Sequence, residues 1–463
     1  MPSADVVVVG AGLSGLSAAL AVAESGARVQ VVAKGHAGTH WGSGGLDVAG
    51  LPTGTMPGTA TPRDGLAKLA ATPGHPYAHL RGDVAPALDW IRALLAAEGL
   101  AYQGDLDTPL RLVPTSIGGT RLAAILPIAQ AAAARPWASG ERLVVCGVAG
   151  FKDFWPDAVA ASLSRPRVWA GTQGPDRVDA VSVELPGLAG RHNLNALELA
   201  RRLDDKTWRA TAIDRIASAL EASGARAGSG RVALPAILGL NDHAAVFDEF
   251  RRRLPLEPFE MPLVQPSVPG LRLYNALRAT LIRLGGRVLI GEPVDHVDRT
   301  GDRVTAVAME AAARTLTVRA GALVLATGGI AGGGIVADNA GHLQEMVLGL
   351  PVEAPEFADW LSTDAFDPAG HPLEAAGIRT DAEMRPVDSS GGPLFDNVRV
   401  VGSMLAGQRY LRERCRDGVA IASGRRAART LIASAAAQLG QAPLSRKPLA
   451  AAPFGGETGS VRP

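Results

Sequence analysis

The stretch ADVVVVGAGLSGLSAALAVAESGARVQVVAK, Ala4 to Lys34, reads as strand, glycine turn, helix and strand. Val6 to Val9 are consecutive and β-branched, which suits a strand buried on both faces. Gly10, Gly12 and Gly15 follow in G-x-G-x-x-G order. The first permits a tight turn, the second lets backbone approach a phosphate, and the third lets the helix pack close to the strand. Leu13, Leu16, Leu20 and Ala23 recur at helical spacing, Gly26 fits a helix stop, and Val29, Val31 and Val32 supply the next strand. A helix start offers unpaired N–H groups and the positive end of the dipole, so Leu13 and Ser14 join the three glycines as candidate cofactor-binding residues. Alone the glycine motif is weak; with this strand, helix and strand around it, it points to a nucleotide or flavin.

Dinucleotide sites usually place Asp or Glu at the end of the second strand, to hold a ribose 2′-OH. That position falls at Ala33 or Lys34. Either the adenosine half is held differently, or the ligand is a mononucleotide such as FMN.

At 463 residues the chain exceeds what one core usually organises, so two interleaved domains are expected. Lys+Arg 46 against Asp+Glu 45 argues against a nucleic-acid footprint. Cys146 and Cys415 are far apart and no C-x-x-C occurs, so no iron–sulfur cluster or metal site is expected in this chain. A cytosolic compartment is compatible with that usage. The apolar N-terminus lacks the basic n-region of a signal peptide. The uncharged runs Leu122–Ala134 and Ala322–Ala337 are too short or too glycine-rich to span a bilayer, which leaves only peripheral attachment through partners open.

After the second strand, Gly35 to Gly50 is a loop dense in Gly, Ser and Thr, and Ser43, Gly44 and Gly45 are candidate ligand contacts. In flavoproteins related to fumarate reductase a loop of this kind lies against the isoalloxazine, some with a histidine bonded to the flavin. His40 is mis-spaced for that motif, so non-covalent flavin is expected. Asp83 is read as the N-cap of a helix with Leu88, Ile91, Leu94 and Leu95 on its apolar face. Leu100 to Gly140 reads as irregular; within it Arg121 faces either a substrate phosphate or solvent. Leu143–Gly150 is a buried strand with a glycine turn, and a helix is expected from Phe151. Val232–Leu240 is a further strand and turn, His243 to Arg253 a helix, and Pro-rich Glu257–Gly270 a linker back to the first domain.

Leu271 to Ile282 then gives a helix stopped by Gly285-Gly286, followed by short strands at Arg287–Ile290, Pro293–Asp298, Arg303–Met309 and Thr315–Arg319. The separate strand ALVLATGGI, Ala322 to Ile330, carries Ala326, Thr327 and Gly328, a second recurrent flavin motif. Asp396–Gly407 and Asp417–Ala428 supply the third element, with Gly402, Ser403 and Gly418 at the candidate site. From about Ser434 periodicity is lost and a poorly ordered tail is expected. The fold class is α/β: a discontinuous glutathione-reductase-like Rossmann flavin-binding domain, 1–50 plus 266–433, with an inserted second α/β domain, 51–265.

With these elements, the chain resembles the B subunit of bacterial anaerobic glycerol-3-phosphate dehydrogenase from the opening motif to about Ala428. The specific segments are HWGSGGLD at His40 to Asp47, His75-Pro76-Tyr77, Leu143 to Phe154, PSVPGLR at Pro266 to Arg272 and VGSMLAG at Val401 to Gly407. The resemblance implies an FMN-bearing subunit, with FAD the alternative. It would pair with a larger FAD-bearing A subunit on a membrane-associated iron–sulfur C subunit, in a cytoplasmic complex at the inner face of the membrane. That complex oxidises sn-glycerol 3-phosphate to dihydroxyacetone phosphate and passes electrons to quinone. The family's closing helix begins in a cysteine- and glycine-rich turn. Here Arg409 to Asp417 is bulky and charged, and suits a phosphate or a partner surface. No His/acid pair is marked as a catalytic base, His75 being the best histidine, so electron relay is expected of this subunit. The alternatives are a self-sufficient FAD oxidoreductase of the fumarate-reductase type and a non-catalytic structural subunit.

Overall fold

In the computed structural model, which describes residues 3–438 apart from 53, 227, 229, 312 and 313, the valine run forms β1 (Ser3–Val9). Gly10 turns the chain into α1 (Leu13–Glu24), and β2 (Val29–Ala33) returns parallel to β1 with Val6 opposite Val29 and Val9 opposite Val32. Val7, Val8, Val31 and Val32 are fully buried, as a strand covered on both faces requires. Helices α2 (Pro62–Ala70) and α3 (Tyr77–Ala97) follow. The expected N-cap, Asp83, lies inside α3, whose N-cap is Pro76; its carboxylate pairs instead with Arg426 at 2.5 Å and Arg429 at 3.2 Å.

The expected irregular stretch contains a hairpin of β3 (Arg111–Pro114) and β4 (Thr120–Ala123). Then come β5 (Arg142–Val148), α4 (Pro156–Leu163), β6 (Arg177–Val183), α5 (Ala196–Asp204), α6 (Lys206–Ala222), β7 (Gly230–Pro235), α7 (His243–Arg253) and β8 (Glu257–Met261). These strands form an all-parallel sheet in the order β8-β7-β5-β6. The helix expected from Phe151 starts at Pro156, because Phe151 and Phe154 first turn into the core. The stretch read as a linker contains β8: Phe259 and Met261 are fully buried, and Pro258 is tolerated because the strand is at a sheet edge.

The chain returns through α8 (Val268–Arg283), β9 (Arg287–Ile290), β10 (Val294–Thr300), β11 (Arg303–Ala311), β12 (Arg314–Leu325) and, later, β13 (Val398–Val400) and α9 (Arg416–Gln438). The large sheet runs β9-β2-β1-β12-β11-β10, with β13 beside the end of β12. The two strands expected across Thr315 to Ile330 are one: β12 pairs antiparallel with β11 at its start and parallel with β1 to its end. Helix α9 continues past Ser434, whose hydroxyl bonds Thr430 O at 2.9 Å; the rest of the expected tail, 439–463, lies outside the described residues.

Two hydrophobic cores result. One gathers the large sheet with α1, α8, α9 and the apolar face of α3 (Leu80, Val84, Leu88, Ile91, Leu95). The other gathers buried residues between Val113 and Val268 around the parallel sheet. Residues 51–110, expected in the insertion, therefore pack mainly with the first core.

A buried ion pair joins the cores. Arg272 on α8 holds Glu260 on β8 through two bonds of 2.7 and 2.9 Å, and its Nε donates to Gly239 O at 2.7 Å. Glu260 also accepts Leu238 N–H at 2.8 Å. His243 completes the group, with Nδ1 2.7 Å from Leu238 O and Nε2 3.5 Å from Arg272 Nη1. Burial, then Arg272, pull His243 from its ordinary 6.5 down to about 4. The unfolded chain takes up a proton that the folded chain resists, so this stability is full above 6.5 and is lost as pH falls toward about 4. The ring is partly exposed, so the expected loss is about 2 kcal/mol over that window. Denaturant titrations of the parent and of His243→Asn across the window should show the shallower pH slope in the variant; equal slopes would remove His243 from this role.

Candidate functional site

The carboxyl ends of β1, β12 and β13 meet the start of α1. Gly10 has φ +116°, and a Cβ on it would lie 2.2 Å from Ala326 O, so only glycine fits. A Cβ on Gly15 would lie 2.0 Å from Gly10 O. Gly12 differs: a Cβ there would meet only Ala37 Cβ, at 3.5 Å. Two of the glycines are thus used up by the turn, and Gly12 keeps an open side where α1 begins. That helix has no side-chain cap at Gly12 and no acidic residue in its first turn, while Leu13 N–H donates to Thr39 Oγ1 at 3.0 Å. With a neutral hydroxyl on Leu13 N–H and no carboxylate in its first turn, this helix start beside bare backbone suits an anionic group.

Gly402 closes the opposite wall. It has φ +70°, and a Cβ on it would lie 2.4 Å from Ser14 Oγ. Its N–H donates to Ser423 Oγ at 3.0 Å, and Gln408 Nε2 donates to Gly402 O and Leu405 O at 2.8 and 3.0 Å. Thr327 Oγ1 and Gly329 N–H point to Met404 Sδ at 3.1 and 3.3 Å. Ser403 O lies 2.4 Å from where a Cβ on Gly329 would stand, and Gly328 has φ +95°. Gly10, Gly12, Leu13, Ser14, Gly15, Ala326, Thr327, Gly328, Gly402 and Ser403 therefore surround one helix start. Ala33 ends β2 and is buried, its carbonyl accepting Gly291 N–H at 2.9 Å. Lys34 is exposed, with Nζ 3.4 Å from the place of a Cβ on Gly333.

Ser43, Gly44 and Gly45 lie instead at the seam between the two cores. Ser43 O accepts Gln130 Nε2 at 2.7 Å, Gly44 O accepts the Tyr102 hydroxyl at 2.5 Å, and a Cβ on Gly45 would lie 2.5 Å from Arg121 Nη2. Gly418 is taken by packing: a Cβ there would lie 2.2 Å from the Tyr77 hydroxyl, and its N–H donates to Asp47 O at 3.0 Å. Its neighbours interlock with the same loop. Asp417 Oδ2 accepts Asp47 N–H at 2.9 Å, Arg414 Nη2 donates to Asp47 Oδ2 at 2.9 Å, and Arg416 Nε donates to Asp417 Oδ1 at 3.0 Å.

His75 is buried with both nitrogens engaged. Nδ1 accepts Tyr77 N–H at 3.0 Å, so Nε2 carries the hydrogen and faces Glu413 Oε2 at 3.3 Å. Cys415 Sγ completes a trio whose ligand atoms lie within 4.8 Å of one another. A hydrogen on Nε2 leaves no lone pair there for a metal, so the trio is a hydrogen-bonded network. Burial, with Glu413 beside it, pushes the Cys415 thiol well up, which keeps it protonated.

Sequence reasoning missed Thr39 and Ser423, which cap or brace the cradle from positions distant in the chain, and Met404 and Gln408, which follow Gly402 closely but whose bracing role no local pattern marks. It also missed Tyr274, whose buried hydroxyl is unpartnered and whose ring lies 4.1 Å from His40. Burial, then His36, pull His40 below its ordinary value, so that ring is neutral at neutral pH.

The FAD binding domain family model matches residues 5–418. The probable B subunit of an anaerobic glycerol-3-phosphate dehydrogenase from Halobacterium salinarum is 33% identical over 432 residues, covering 91% of this chain and 96% of the relative. The B subunit of the anaerobic glycerol-3-phosphate dehydrogenase of Yersinia pestis is 32% identical over 450 residues, covering 94% and 99%. Among solved structures, a flavocytochrome c3 fumarate reductase in its open conformation is similar at 11% identity and TM-score 0.42, over 93% of this chain and 78% of that one. Among the described residues no helix is long and apolar enough to cross a membrane. The cradle suits a flavin's phosphate, and the chain is a member of the FAD binding domain family and, within it, of the family of anaerobic glycerol-3-phosphate dehydrogenase B subunits.

Proposed function

We propose that this chain is a flavoprotein subunit of a glycerol-3-phosphate dehydrogenase complex. The complex oxidises sn-glycerol 3-phosphate to dihydroxyacetone phosphate and passes the electrons to quinone, and this subunit relays them. The observation that carries the reading is similarity over more than nine-tenths of the chain to relatives bearing that name, beside a family match over residues 5–418 that takes in the helix-start cradle. FAD is the form favoured, because the family description names it over residues 5–418. The FMN alternative rests on the family resemblance and on the missing acidic residue at Ala33/Lys34. Non-covalent attachment fits His40, whose ring is packed against Tyr274. A bound flavin supplies acceptance of two electrons and release of one at a time. The chain's own part is to hold the phosphate at the start of α1 beside Gly12, to shape the pocket with Gly328, Gly402 and Ser403, and to exclude water between two cores. A relay role agrees with the commitment of His75 to Glu413 and of His243 to the inter-core ion pair.

A subunit needs a docking face. Between 351 and 376 the chain exposes Phe357, Leu361 and Phe366, the last 91% exposed, beside Leu411 at 71%. The segment carries Glu353, Glu356, Asp359, Asp364, Asp367 and Glu374 and no Lys or Arg. Arg412 holds it through Glu374 at 2.8 Å, and Arg409 through Ala369 O at 2.7 Å. An ordered acidic segment that presents aromatic side chains suits a basic, apolar protein surface and is repelled by anionic lipid. The partners proposed are the FAD-bearing A subunit and the iron–sulfur C subunit, the latter providing peripheral attachment to the inner face of the membrane.

The test is co-expression with the A- and C-type subunits from the same source. Glycerol-3-phosphate-dependent reduction of a quinone analogue should require this chain, and Phe366→Ser with Leu411→Ser should cut its retention in the complex at least about tenfold, a loss of about 1.4 kcal/mol. Full activity from A and C without it would overturn the relay. Unchanged retention of the double variant would remove this face from the interface.

A further inference from the structure

Arg121 stands on β4 at the seam between the two cores, with its side chain only 15% exposed. Nη1 reaches Asp47 Oδ1 at 3.4 Å, but Nε and Nη2 are buried and have no hydrogen-bond partner. These two groups share one edge of the guanidinium plane, the edge that grips an oxyanion bidentately. Arg92 and Arg142 also leave a buried Nε bare, but among the described residues only Arg121 leaves both Nε and Nη2 buried and bare. Two other arginines show the edge filled. Arg231 holds Glu141 through Nε and Nη2 at 2.8 Å each, and Arg63 holds Asp107 at 2.6 and 2.8 Å. An edge left bare in a buried place is costly, and the described residues offer no acceptor to fill it.

The surroundings are cut for a small group. Gly45 lies against the bare edge, where any side chain would collide with Nη2. Asp47, the nearest carboxylate, is drawn to Arg414 at 2.9 Å. Arg414 is held in the left-handed region, φ 52°, which is unusual for arginine, and donates to both Asp47 and Leu122 O. Arg416 follows at 44% exposure, with Asp417 as its carboxylate partner and Nη2 3.7 Å from the place of a Cβ on Gly42. Three guanidinium groups (Arg121, Arg414, Arg416) face two carboxylates (Asp47, Asp417), which leaves one positive charge in excess within this group.

We propose that Arg121, with Arg414 and Arg416, forms a binding site for a small oxyanion, the phosphate of an ester or a carboxylate, at the seam between the two cores. The bare edge of Arg121 supplies the bidentate fork, and Arg416 supplies the second, more accessible charge. The site goes beyond the relay reading, since passing electrons requires no anion site. It stands whether or not flavin is bound.

Calorimetric titration of the full chain with inorganic phosphate, sn-glycerol 3-phosphate and malonate tests it, with flavin content measured separately. At least one probe should bind saturably at one site per chain, with or without flavin. Arg121→Met should weaken it at least about tenfold, Arg121→Lys should keep part of the affinity, and Arg63→Met, an exposed pair elsewhere, should leave it unchanged. Preference for the phosphates or for malonate names the ligand class, and either sustains the site. If Arg121→Met does not fold, Arg416→Gln should weaken binding at least about threefold. No saturable binding of any probe to the parent, or parental affinity in every folded variant of Arg121 and Arg416, would overturn the proposal. The separate flavin measurement bears on the flavoprotein reading alone, so anion binding by a flavin-free preparation leaves this proposal standing and the two readings can fail independently.

Discussion

Glu260→Gln and Arg272→Met, made singly, should each lower the unfolding free energy by about 3–5 kcal/mol, the usual cost of stranding one member of a buried ion pair. Both side chains are nearly inaccessible to water, at 0% and 4% exposure. Each is satisfied chiefly by the other and by the turn after β7: Glu260 accepts Leu238 N–H, and Arg272 donates to Gly239 O, with His243 Nε2 at 3.5 Å from Arg272 Nη1. Removing the carboxylate leaves a guanidinium desolvated beside His243. Removing the guanidinium leaves a carboxylate that must take up a proton. Replacing both with apolar residues of similar volume should cost far less than the sum, because no charge is then left alone. Urea unfolding of the two single variants and the double variant measures this. Single variants within about 1 kcal/mol of the parent would show that the pair does not join the cores.

Gly12→Ala and Gly15→Ala should separate binding from folding. At Gly15 the new Cβ would stand 2.0 Å from Gly10 O, so backbone must move, and a loss of several kcal/mol with little folded protein is expected. At Gly12 the new Cβ meets only Ala37 at an ordinary 3.5 Å, so the fold should keep its stability to within about 1 kcal/mol. The methyl group would nevertheless occupy the open side of the helix start. Loss of the backbone's approach to phosphate there should weaken flavin at least about a hundredfold. A folded Gly12→Ala chain that retains its flavin would move the phosphate elsewhere.

The opening unit is legible in the sequence because its information is local: glycines at fixed offsets, a valine run before them and leucines at helical spacing after. The cradle's other walls are legible for a related reason, since Ala326 to Gly328 and Gly402-Ser403 follow short buried strands. What stays hidden depends on residues brought together by packing. Thr39 caps Leu13 from 26 positions away, and Arg121 meets Asp47 from 74. Strand β8 reads as a linker because three prolines lie within Glu257 to Pro266, whereas an edge strand needs no N–H from Pro258 on its open side. Asp83 satisfies every local rule for an N-cap, yet its carboxylate serves two arginines of α9 and the helix starts earlier. Gly418 reads as a flavin contact from its place before a helix, whereas the Tyr77 hydroxyl and Val48 fill the space above it.

The central claim is that this chain holds a non-covalent flavin by the start of α1. The most direct measurement is to purify the folded chain, denature it, and quantify and weigh the released flavin beside the same preparation of Gly12→Ala. The account predicts about one FAD per parent chain, released without proteolysis, and almost none from the variant at matched stability. A colourless parent, both alone and co-purified with its partner subunits, or equal flavin in the two preparations, would contradict it.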